Sequence, residues 1–208
     1  MRALLFKDFV SGKSVYLSIF AIVAVVGGGA ISQGRLIFIP FVFVFLPIIL
    51  NATSFGTEEQ VDFAKFVFTA PISRNTYVLS KYVFAFMLSL LALISSLLIF
   101  YKDFQSLEIA FIVAVTAFAL PVILSSIQIP LLIKYGAERG RIIMVIMYFF
   151  LFGISSLIGE KYEEIIKSIQ MQSQSHPFLA AGVLFLAAMF IFCISVSVCT
   201  SIVKNKEY

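Results

Sequence analysis

The chain has 208 residues, of which 61% are hydrophobic and only 12% charged, with 24 Phe, no Trp and a formal net charge of +4. Its mean hydropathy is +1.06. A soluble domain of this size has no need of so much apolar surface, so the composition excludes that class and indicates an integral membrane protein. Cys193 and Cys199 lie six apart in one apolar run, on different faces of a helix, and are read as small packing residues.

Residues 1–13, MRALLFKDFVSGK, alternate basic and apolar positions and read as an interfacial helix within a cytoplasmic segment 1–14. Gly12-Lys13-Ser14 looks like the tail of a phosphate-binding loop. The earlier glycine such a loop requires falls at Lys7 and no strand precedes it, so the chain carries no ATP site of its own. Six apolar runs follow, Val15–Ile31, Leu36–Thr53, Tyr77–Tyr101, Ile109–Ile133, Ile142–Ile158 and Phe178–Val203. Each reaches or approaches the ~20 residues that cross a bilayer. The predicted fold is therefore all-α, a single six-span transmembrane domain over 1–208. Pro40 and Pro47 are expected to kink or shorten the second run, and Pro121 and Pro130 to kink the fourth.

Six spans put both termini on one side, and the basic residues choose which. Arg2, Lys7, Lys13, Lys65, Arg74, Lys81, Lys134, Arg139, Arg141, Lys204 and Lys206 fall with the termini, eleven of the fifteen Lys and Arg; Arg35, Lys102, Lys161 and Lys167 fall opposite. The termini, 54–76 and 134–141 are then cytoplasmic, and 32–35, 102–108 and 159–177 external. In the outer segment Tyr162, Ile165, Ile166 and Ile169 share a helical face; its His176 has no metal or catalytic partner in view.

With Lys81 counted among the cytoplasmic basic residues, the runs are read as free of Asp, Glu, Lys and Arg. Their polar content is hydroxyls and amides, such as Ser89, Ser96, Ser125, Ser126, Gln128 and Ser195. An ion-coupled carrier keeps an ionisable group near the midplane to do the coupling. Its absence points to motion driven from elsewhere or to passive passage. No catalytic residue, metal site or cofactor is assigned to this chain.

The longest polar interruption of the first half, Asn51–Tyr82, is also the most ordered. Thr57 and Gln60 read as a capping box, with Glu58 and Glu59 in the first turn. Phe63, Phe66, Val67 and Ala70 recur at helical spacing, giving a short amphipathic helix over 57–70. Pro71 ends it, and Ser73 can cap a helix opening with Arg74, Tyr77 and Lys81.

Glu58-Glu59, Phe63, Lys65-Phe66, Pro71-Ile72-Ser73-Arg74 and Val78-Leu79-Ser80-Lys81-Tyr82, together with Pro130, Lys134-Tyr135-Gly136 and Arg141, resemble the signature of the ABC-2-type permeases, the membrane halves of ATP-binding-cassette exporters, over essentially the whole chain. Phe63 stands where many relatives have Trp and Ala70 where they have Leu. The small form is similar to Gram-positive exporter permeases for cytolytic peptides and bacteriocins. The resemblance implies a non-enzymatic export permease for amphipathic peptides or lipid-like substrates. A separate cytoplasmic ATPase, holding the ATP and Mg, would grip the loop between the second and third spans through Glu58, Glu59, Phe63, Phe66, Val67, Arg74 and Lys81. A second contact would use Lys134, Tyr135, Arg139 and Arg141, and a second permease, identical or related, would complete the pathway. The alternative is a non-transporting membrane subunit that binds an ATPase or a toxin, such as an immunity protein.

Overall fold

The computed structural model describes residues 1–13, 15–18, 21, 24–25, 38–69, 72–103, 107–140, 142, 145–146 and 177–205. Most of the first and fifth apolar runs, the segment 159–176, Ala70, Pro71 and Arg141 lie outside the described residues. Six helices are described: α1 (Arg2–Ser11), α2 (Phe38–Gln60), α3 (Phe63–Thr69), α4 (Arg74–Asp103), α5 (Leu107–Tyr135) and α6 (Pro177–Asn205). Within α4, α5 and α6, the stretches Arg74–Ile99, Ala110–Tyr135 and Phe178–Asn205 are long and apolar enough to cross a membrane.

α5 is the central helix. It packs most extensively on α6 and α4, then on α2. Because it has neighbours on several sides, its buried residues do not form one stripe: Ala114, Val115, Ala117, Phe118 and Ala119 all lie inside, and so do Ser125, Ser126, Gln128 and Ile129. α6 contrasts with it. Its buried positions Ala181, Ala188 and Ser195 recur at seven-residue spacing, followed by Cys199 and Val203. Small residues along one narrow line let two backbones approach closely, while Leu179, Val183, Leu186 and Phe190 face outward, as suits a helix in lipid.

Prolines do not end these helices. α2 runs unbroken through Pro47 to Gln60, past the expected end of the second run at Thr53, and α5 contains both Pro121 and Pro130. Pro130 has no N–H, which frees the carbonyl of Ser126 one turn before it. The Ser195 hydroxyl of α6 donates to that carbonyl, and the Tyr82 hydroxyl of α4 lies 2.5 Å from Ser195 Oγ. With Ser195 donating to the carbonyl, Tyr82 donates to Ser195. One serine thus closes a backbone gap in α5 and ties three helices together.

Replacing Ser195 with Ala strands the Ser126 carbonyl and takes one partner from the Tyr82 hydroxyl, at a cost of about 1–3 kcal/mol. Ser197→Ala serves as the control, because the hydroxyl of exposed Ser197 donates to the Cys193 carbonyl of its own helix. Thermal unfolding in detergent should show a clear loss for Ser195→Ala and almost none for Ser197→Ala.

Candidate functional site

The charged end of the bundle is built where α1, α2 and α4 converge. Ser54 and Glu58 are one turn apart on α2, and Tyr77 and Lys81 one turn apart on α4, so each pair shares a helix face. The two faces meet, and α1 adds Asp8. Lys81 is 1% exposed, Asp8 1% and Glu58 7%. Lys81 Nζ lies 2.8 Å from Asp8 Oδ1 and 2.8 Å from Ser54 Oγ, and also bonds Glu58. The Ser54 hydroxyl donates to Asp8 at 2.7 Å, and the Tyr77 hydroxyl donates to Glu58 at 2.6 Å. Lys7 pairs with Glu58 and sits 3.1 Å from Asp8.

Two ammonium groups therefore face two carboxylates in a mostly dry site. Burial would raise the Asp8 carboxyl, but Lys81 and then Lys7 outweigh it and hold the group below the ordinary carboxylate range. Lys7 on the same helix is brought down to about 8, by burial first and Lys81 repulsion second, against the pull of Asp8. Lys7 also stands 4.1 Å over the ring of Phe63, which links α1 to α3.

The short helix begins later than the sequence suggests. Thr57 donates to the Ser54 carbonyl inside α2, so it caps nothing, and α2 runs on to Gln60. The break falls at Val61-Asp62, where Asp62 takes a φ of 49°, and α3 starts at Phe63. Helical periodicity survives such a break, which is why the pattern alone merged the two pieces. Ser73 caps α4 as expected, its Oγ accepting from the Thr76 N–H at 3.2 Å.

The residues assigned to a partner separate into two groups. Glu58 and Lys81 are turned inward onto each other, and Lys81 lies within the part of α4 that is long and apolar enough to cross a membrane. Arg74 donates to the carbonyls of Val203 and Lys204, closing the end of α6. Val67 is buried, and Phe63 packs against the core. Phe66 is 68% exposed and points away from the chain. Lys134, Tyr135 and Arg139 are exposed, with Lys134 5.1 Å over the Tyr135 ring. Motif and composition do not mark Lys7, Asp8, Ser54 or Tyr77 as members of a site. The usable signal is the paired one-turn spacing of Ser54/Glu58 and Tyr77/Lys81, with an acid at position 8 to complete it.

Glu59 joins the two cytoplasm-assigned pieces of the signature. Its Oε2 accepts from the Ala137 N–H at 2.6 Å, just beyond the end of α5. Gly136 between them has a φ of +84°, and a Cβ there would meet Glu59 Oε1 at 2.6 Å, so only glycine fits. Beside this contact is an open depression of about 620 Å³ lined by Gly56, Glu59, Gln60, Glu138 and Ile142.

Removing one member of the buried network strands its partners, at about 3–5 kcal/mol. Lys81→Met should therefore unfold more readily than the balanced pair Lys81→Met/Asp8→Asn, measured by melting in detergent. The pH dependence has a definite sign. Charged Lys7 is the costly form in the folded chain, a cost present below about 8 and relieved as pH rises toward ~10.4. Asp8 acts at the other end, its contribution full above ~3.9 and lost as pH falls through its lower folded value. Between about pH 7.5 and 9.5 the wild-type chain should gain more thermal stability than Lys7→Met does.

A family model described as ABC-2 family transporter protein matches residues 3–204. Comparison with curated proteins and with solved structures gives no match.

Proposed function

The chain belongs to the ABC-2 family of transporter proteins, and on that premise we propose that it is the permease of an ATP-driven exporter, worked by a separate ATPase through α3. The observation that carries this reading is the division of labour on α3. Val67 is buried and Phe63 is held by Lys7, while Phe66 projects 68% exposed. An aromatic side chain left outside on a helix fixed from behind is suited to fill a partner's groove. The Glu59–Ala137 bond supports a joint contact in which exposed Lys134, Tyr135 and Arg139 flank α3.

The favoured cargo is an amphipathic peptide. α3, both termini and 134–141 face the cytoplasm in this reading, six spans cross a bacterial plasma membrane, and a second permease completes the path. ATP closure moves α3 and the attached helices as a rigid body. Glu58 and Lys81 serve here as the internal brace of that body, rather than as rim charges for the motor.

Phe66→Ala should weaken ATPase capture by about 2 kcal/mol or more, roughly thirtyfold, with membrane insertion unchanged. Phe63→Ala should instead lower the chain's own stability. Pull-down of the ATPase by each variant, beside a melting curve, decides; full capture by Phe66→Ala moves the contact to 134–141. The topology has its own check: cysteines at Asn75 and at Gln172, the latter outside the described residues, should label from opposite sides.

A further inference from the structure

Two amide side chains meet between α2 and α5, near the charged end. Asn51 is 1% exposed and Gln128 0%. Asn51 Nδ2 reaches Ser125 Oγ at 3.4 Å, a long bond, and Gln128 Nε2 donates to the Ile48 carbonyl at 2.9 Å. Ile48 and Asn51 are one turn apart, as are Ser125 and Gln128, so the four form one patch.

The remaining oxygens, Asn51 Oδ1 and Gln128 Oε1, are buried without a donor. Turning an amide over does not help. For Asn51 it exchanges an orphan oxygen for an orphan N–H group, and for Gln128 it aims oxygen at oxygen. Each such group costs about 1–3 kcal/mol, so this seam is closed against a penalty. The α5–α6 seam differs, because there Ser195 satisfies the carbonyl freed by Pro130. Five residues along α2 from Asn51 stands Gly56, where the depression lined also by Glu59, Gln60, Glu138 and Ile142 begins. At 1.5 Å per residue that is ~7.5 Å away. An open mouth thus lies about a turn and a half along α2 from the poorly satisfied polar patch, on another side of the helix, its far wall formed by Glu138 and Ile142 beyond the end of α5.

We propose that the α2–α5 seam is part of the conduit, parting during the cycle so that Asn51, Ser125 and Gln128 accept hydrogen bonds from amide or amine donors of a peptide in transit. The inference rests on the reading of the chain as an ATP-driven permease and narrows its cargo. Gln128 Oε1 is an acceptor whose orientation the Ile48 carbonyl fixes, and the mouth adds the carboxylates Glu59 and Glu138. Acceptors suit the N–H groups and ammoniums of a peptide; an anionic lipid headgroup would need donors.

The test uses the full chain with its ATPase in vesicles, carrying Cys193→Ala and Ser125→Cys, with buried Cys199 as the internal blank and Asn75→Cys as the exposed control. A small thiol reagent should label position 125 about tenfold faster during ATP turnover than without nucleotide, as a seam that opens only in the cycle requires. Equal rates while the motor hydrolyses ATP overturn the proposal. A motor that neither binds nor hydrolyses overturns the underlying reading instead, and the purified chain then decides. Asn51→Leu and Gln128→Leu should each melt at or above the wild-type temperature, since an unsatisfied acceptor is removed. A drop of several degrees for both means that the amides are already satisfied, by ordered water, and sinks the idea.

Discussion

Lys81 is the residue that the rest of the structure has to accommodate. An ammonium group 1% exposed inside α4 is stable only if anions come to it, and no single neighbouring helix supplies them. Glu58 arrives from α2 and Asp8 from α1, with Ser54 and Tyr77 satisfying the carboxylates further. The need for Asp8 explains why a ten-residue helix without strong amphipathic patterning is docked at all. Apolar packing then tracks the charges inward: Leu4 joins the buried core, and Phe9 sets its ring edge-on to Phe84 at 5.0 Å. Such a network is a poor source of net stability, because desolvation offsets most of the attraction. What it does supply is a register in which α1, α2 and α4 meet with their buried charges paired.

That same network fixes the path of the chain beyond α2. With Glu58 held by Lys81 and Tyr77, the last turn of α2 cannot rotate freely, and the chain leaves it through the left-handed Asp62 into α3. Lys7 on the Phe63 ring and buried Val67 seat α3 from behind. Glu59, the very next residue after Glu58, turns the other way and binds Ala137 across Gly136. Two adjacent acids thus brace the end of α2 on opposite sides. A push on α3 in the proposed cycle would therefore reach α1, α4 and the end of α5 together.

The third, fourth and sixth apolar runs and the Ser73 cap were legible because each depends on residues close in sequence. The described spans extend a few residues past the runs, since Arg74, Lys134 and Lys204 continue the helices into their polar flanks. What the sequence misplaced was direction. Glu58 and Lys81 look like loop charges until α1, 50 and more residues away, supplies the rest of their environment. Thr57 and Gln60 match a capping box, yet the same residues sit comfortably inside a helix that has not ended. A local pattern records what a segment permits; the long-range pairing decides which permitted form is used.

The distribution of satisfied and unsatisfied polar groups gives the bundle a direction of weakness. On the α5–α6 side, small residues at seven-residue spacing bring the backbones close, and the Tyr82–Ser195–Ser126 chain leaves that proline break with its carbonyl bonded. Separating those helices would strand the Ser126 carbonyl, which is now content. On the α2–α5 side, inward of the Glu59–Ala137 tie, Asn51 holds one long bond, Gln128 one good bond, and each amide keeps an idle oxygen, so parting the helices there hydrates groups that are now starved. Rigid-body motion takes the path along which the fewest good interactions are lost. If α3 is the lever, the brace through Glu58 and Glu59 delivers the force to α2, and α2 borders the seam that costs least to part.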